Sequence, residues 1–159
     1  MTASTTTPRH LPTHAPAWRW PLAYLATLVV FLAMDAAWLG TMAGRVYQPA
    51  IGHLMAATVD WRAVAVFYPL YVAGLVFFAV APALRRGRSR LAFAQGACFG
   101  FLAYATYDFT NQATLRDWPW LITVIDLAWG TVISGVSSGV AALVTAALTS
   151  RRATRTIGR

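Results

Sequence analysis

Residues 96–111 read GACFGFLAYATYDFTN, and the reading of this stretch decides the fold. Gly96, Gly100, Tyr104, Tyr107, Asp108 and Asn111 recur at three- and four-residue steps, so a helix places them on one face. That face grades from small through aromatic to charged. Phe99, Leu102, Ala103 and Phe109 fall on the opposite face, which suits lipid or apolar neighbours. A carboxylate at membrane depth costs about 2.5–3.5 kcal/mol on insertion scales, so it persists where something inside a bundle satisfies or uses it. The stretch therefore predicts a membrane helix with a polar inner face.

Composition agrees. The chain has 159 residues, 58% of them hydrophobic, and a mean hydropathy of +0.53, which a soluble domain rarely reaches. All 13 basic residues are Arg and all 5 acids are Asp. The net charge of +8 does not point to nucleic acid, because most arginines flank apolar spans. Anionic lipid headgroups are the simpler partner. Cys98 stands alone inside an apolar span and forms no intrachain disulfide. His10, His14 and His53 are scattered, so no zinc-type cluster is expected. Neither a phosphate loop nor a nucleotide fingerprint is present, so no cofactor is expected.

Four spans follow along the chain, at about 21–43, 63–84, 91–113 and 121–148. Residues 1–17 are rich in Thr, Pro, Ala and His and read as a disordered cytoplasmic tail. A signal peptide fits less well, because the following apolar run is too long and contains Asp35. The membrane domain covers 18–150, with Trp18, Trp20 and Pro21 at its entrance. Residues 44–62 read as a polar loop, and Ile51, Leu54, Met55 and Val59 after Pro49 suggest a short amphipathic helix on the membrane surface. Pro69 and Pro82 are expected to kink the second span. Residues 151–159 form a basic cytoplasmic tail.

Four spans place both termini on one side. Arg9, Arg19, Arg85, Arg86, Arg88, Arg90, Arg151, Arg152, Arg155 and Arg159 fall there, and Arg45, Arg62 and Arg116 fall opposite. The expected fold is an all-α, polytopic four-transmembrane-helix bundle, N-in and C-in, in a bacterial cytoplasmic membrane.

In that orientation Asp35, Asp108 and Asp126 all lie in the outer half, roughly 8–12 Å below the helix ends. Asp60 and Asp117 are loop acids. Asp35 and Trp38 are three residues apart, and so are Asp126 and Trp129, so each Trp shares a face with its acid. Three like charges in one dry space cannot all stay ionised without compensation. They share protons, pair with Arg45, Arg62 or Arg116, or hold a cation. Hydrogen bonds from Tyr68, Tyr71, Tyr104, Tyr107, Thr110, Asn111 and the two indoles are a further route. The plain alternative is that the acids only tie helices together, at about 0.6 kcal/mol per bond. The candidate ligand site is Asp35, Trp38, Tyr68, Tyr71, Tyr104, Tyr107, Asp108, Asn111, Asp126 and Trp129, with no catalytic residue assigned. Gly96 and Gly100 form a close-packing motif, expected to meet another span of the same chain.

The pieces from Met34 to Gly40, from Phe67 to Tyr71, from Tyr104 to Thr114 and from Asp126 to Gly130 resemble an uncharacterised family of small bacterial integral membrane proteins, a domain of unknown function. The likeness covers about residues 23–144, and the Tyr107-Asp108-Phe-Thr110-Asn111 piece is its most specific part. It implies four membrane helices and brings no activity, cofactor or catalytic residue. The chain is also similar in size and Trp content to the tryptophan-rich sensory proteins, which have five spans.

Three functions compete. The first is binding or transport of a small amphipathic or cationic ligand in an outward-facing Asp/Trp/Tyr pocket. The second is a structural or regulatory subunit with a membrane-protein partner. The third is a membrane enzyme using Asp acid/base chemistry on a lipid or isoprenoid. They rank in that order.

Overall fold

The computed structural model describes residues 17–157, with side chains described for 17–150. The N-terminal tail, apart from Ala17, and the side chains of the C-terminal tail lie outside the described residues.

The described residues fold into four helices: α1 Arg19–Leu54, α2 Trp61–Arg86, α3 Ser89–Thr114 and α4 Trp120–Ile157. The first span does not stop near residue 43. A π turn at Ala43–Tyr47 carries α1 onward, through Gln48–Ile51, to a closing 3-10 turn at Gly52–Leu54. The polar loop expected over 44–62 shrinks to 55–60, and the expected surface helix after Pro49 is the end of α1 itself.

Proline accounts for the local detail. In the π turn the Gln48 N–H reaches back to the Ala43 carbonyl, and Pro49 follows directly. The same arrangement recurs in α2, where a π turn spans Val76–Val80, Ala81 bonds Val76 and Pro82 follows. A proline ring inside a helix has no N–H to give and collides with the carbonyl four residues back. A widened turn just ahead of it makes room, so each helix continues past its proline.

The helix ends are conventional. Asp60 caps α2, its Oδ1 accepting from the Arg62 N–H at 2.9 Å. Gly87 closes α2 in the left-handed region at φ 63°, and the Arg88 N–H reaches the Ala83 carbonyl at 3.0 Å. Asp117, at φ 58°, turns the chain from α3 to α4. The α4 helix runs on to Ile157, so most of the segment expected to be a separate tail is helical.

Among the described residues three helices are long and apolar enough to cross a membrane: Arg19–Leu54, Trp61–Arg86 and Trp120–Ser150. The remaining helix, α3, is long enough at 26 residues but carries Arg90, Gln95, Asp108, Asn111 and Gln112 and does not reach that apolarity.

At the centre stands α4, touching the other three helices. Two apolar layers hold the bundle. Ala23, Val80, Ala83, Ala92, Ala141 and Ala142 pack at the end carrying the Arg85–Arg90 turn. Phe31, Tyr71, Val72, Leu75 and Ile133 pack at mid-height. The closest approach is between α3 and α4. A Cβ added at Gly100 would lie 2.1 Å from the Gly130 carbonyl oxygen, and one at Gly96 would lie 2.6 Å from that of Ser134. The small-residue motif therefore serves contact within the chain, as expected.

Candidate functional site: an acidic and aromatic cluster

The three helix acids are buried at the bundle end away from the Arg85–Arg90 turn. Their surroundings differ. Asp35 on α1 accepts a hydrogen bond from the Tyr68 hydroxyl on α2. Asp126 on α4 accepts one from the Tyr47 hydroxyl on α1. Tyr47 in turn receives the Trp38 indole N–H at 3.0 Å. The result is a directed chain, Trp38 to Tyr47 to Asp126, in which each bond polarises the next. Arg45, Arg62 and Arg116 are exposed, so the partners of these two carboxylates are tyrosines rather than rim arginines.

Asp108 on α3 is unlike the other two. Its side chain is 0% exposed and neither carboxyl oxygen has a hydrogen-bond partner. It lies within electrostatic range of Asp126 and of Tyr47. A buried carboxyl group without a partner is costly, and such groups in native proteins call for an explanation.

The two Asp-x-x-Trp pieces meet across α1 and α4. Trp38 and Trp129 stack with ring centroids 4.2 Å apart and planes inclined by 6°. The Trp129 indole N–H is buried without a partner. Tyr104 lies against α4 because residue 130 is glycine: a Cβ there would sit 2.2 Å from the Tyr104 ring. In that position Tyr104 is within electrostatic range of both Asp35 and Asp126. Tyr71 is buried and shares a 2.9 Å hydrogen bond with Ser134. Tyr107 is 56% exposed, packs edge-on against Trp118 and neighbours Asn111.

A groove of about 390 Å³ opens beside the cluster, lined by Phe67, Tyr71, Ala103, Tyr104 and Tyr107. It exists because α2 packs on α3 chiefly through the Val76–Val80 turn, and its other half leans on α1. Phe99, with its ring 5.4 Å from that of Tyr71, fills the space where α2 and α3 come together.

Two participants escaped the sequence reading. Tyr47 falls in the stretch 44–62 that reads as a polar loop, whereas it closes the π turn Ala43–Tyr47 inside α1. Trp118, not among the sequence candidates, precedes α4 and is 6% exposed; it donates its indole N–H to Thr123, and its carbonyl accepts from Gln112. Among the described residues no group of His, Cys, Asp or Glu could hold a metal ion.

An apolar helical chain with acids sealed inside it defines a membrane protein of the small helical class. More particularly, residues 20–143 match the family described as "Predicted membrane protein (DUF2177)", and the chain belongs to that family, whose function is unknown. No curated protein and no solved structure matches it.

Proposed function

We propose that the chain crosses a bacterial cytoplasmic membrane four times, with both termini inside, and binds a small amphipathic cation at its outer end. The observation that carries the reading is Asp108. Its two oxygens are buried and unpartnered beside a second acid, while Asp35 and Asp126 are each satisfied by a tyrosine. A cationic group would supply the missing partner. Tyr104 and Tyr107 both line the groove and interact electrostatically with the acids, so the groove offers aromatic rings for a cation and an apolar wall for its tail. The arginine asymmetry supports the orientation.

The test is equilibrium dialysis of the purified protein in neutral detergent against tetraphenylphosphonium, an apolar cation. Saturable binding is expected, and Asp108→Asn weakens it by about tenfold or more, the scale of a lost charged contact. Asp117→Asn, in the α3–α4 turn, leaves it unchanged. Equal binding by parent and Asp108→Asn rejects the reading.

A further inference from the structure

A second groove lies at the opposite end of the bundle, between α1 and α2. Its volume is about 420 Å³, and Trp20, Tyr24, Ala73, Val76, Phe77 and Arg85 line it. We propose that this groove is a binding site for one anionic phospholipid, with the phosphate at Arg19 and Arg85 and an acyl chain laid toward Ala73.

Three observations carry this. First, two like charges converge where no acid lines the groove. The Arg19 guanidinium stands 4.2 Å from the Trp20 ring centroid and that of Arg85 5.6 Å from the same ring. Trp20, which lines the groove, thus contacts two cations, and an anion at this end of the groove offsets the unbalanced positive charge. Second, the Arg19 Nε is buried with no hydrogen-bond partner. A phosphate oxygen is the acceptor that a guanidinium fork matches best. Third, the groove has the dimensions of a lipid tail in one leaflet. From Arg85 to Ala73 the α2 helix rises roughly 18 Å, against roughly 15 Å for half of a bilayer's hydrocarbon core. Its lining grades from cationic at Arg85 to apolar at Phe77 and Ala73, which matches a phospholipid and gives free phosphate nothing to use beyond the basic end.

The neighbouring basic surface at Arg86, Arg88 and Arg90 lies in a separate cavity and serves as the internal control. Native mass spectrometry of the full chain in neutral detergent reads the bound lipid directly. Phosphatidylglycerol is compared with phosphatidylcholine of the same acyl chains. The parent is expected to retain phosphatidylglycerol preferentially. The Arg19→Gln/Arg85→Gln double variant loses that preference by about tenfold, given the usual contribution of basic residues near anionic lipid. The Arg88→Gln/Arg90→Gln double variant keeps it. Ala73→Trp fills the deep end without touching either arginine and is expected to displace the lipid as well, so the test does not rest on the arginine variants alone. Inorganic phosphate at the same concentration does not displace it. Equal retention of the two lipids, equal loss in both arginine double variants, retention in Ala73→Trp, or displacement by phosphate would each overturn the assignment.

Discussion

Tyr47 and Asp108 show how differently two buried polar groups can be treated in one cluster. Tyr47 is fully used: it takes the Trp38 N–H and gives its own proton to Asp126. Tyr47→Phe leaves both partners unsatisfied and should lower stability by about 1–3 kcal/mol, read as a fall in Tm in detergent. Asp108 has no partner to lose. Asp108→Leu replaces an unsatisfied carboxyl group with an apolar side chain of the same branching, so it should preserve or raise the Tm wherever the neighbours admit the larger methyl groups. Asp126→Leu strands the Tyr47 hydroxyl and should lower it. If Asp108→Leu melts as far below the parent as Asp126→Leu does, Asp108 has a structural partner and the binding argument loses its basis. The acids were legible as residues because a carboxylate in an apolar run stands out at once. Their tyrosine partners were only partly legible. Tyr68 belongs to an evident span, but Tyr47 sits between Gly44 and Pro49, and its direction depends on a backbone turn that residue types do not announce.

Helix geometry explains that failure. A π turn adds one residue and rotates everything beyond it by roughly 100° relative to a plain α-helix. In α1 this rotation is what aims Tyr47 at Asp126. Deleting Gly44, whose position has open space around it, should restore an α turn and swing Tyr47 away. The deletion should cost about as much stability as Tyr47→Phe, and combining the two should cost little more, a coupling that a double-mutant cycle in Tm measures. Additive losses would mean that the π turn and the bond are unrelated. Glycine packing between α3 and α4 gives a second comparison. Gly100→Ala drives a methyl group against the Gly130 backbone, which cannot move cheaply, so a loss of about 1–3 kcal/mol is expected. Gly40→Ala meets nothing within 4 Å and should be neutral or stabilising by about 0.5–1 kcal/mol. The small-residue motif was readable from spacing. Which helix it would meet was not, because spacing identifies a packing face and not its partner.

At the scale of the whole molecule, α3 joins the acid cluster to the topology. It alone among the four helices falls short of the apolarity that marks a span, because Gln95, Asp108, Asn111 and Gln112 interrupt it. In the fold its glycine face lies directly on α4, and Asp108 is sealed away. Hydropathy along one helix cannot register such shelter, since the neighbour that provides it comes later in the chain. If α3 crosses the membrane, it does so as one arm of a hairpin with α4, which spares Asp108 the ~2.5–3.5 kcal/mol that a lone helix would pay. Accessibility of introduced cysteines tests this, in a Cys98→Ser background so that no native thiol reports. In the full chain Arg88→Cys should label only from the cytoplasm and Leu115→Cys only from outside. In a chain truncated after Arg116, α4 is gone and the polar face of α3 would meet lipid, so Leu115→Cys should label from the cytoplasm along with Arg88→Cys. Continued outside labelling of Leu115→Cys in the truncated chain would show that α3 inserts unaided. Cytoplasmic labelling of Leu115→Cys in the full chain would overturn the four-span topology, and the outward-facing site with it.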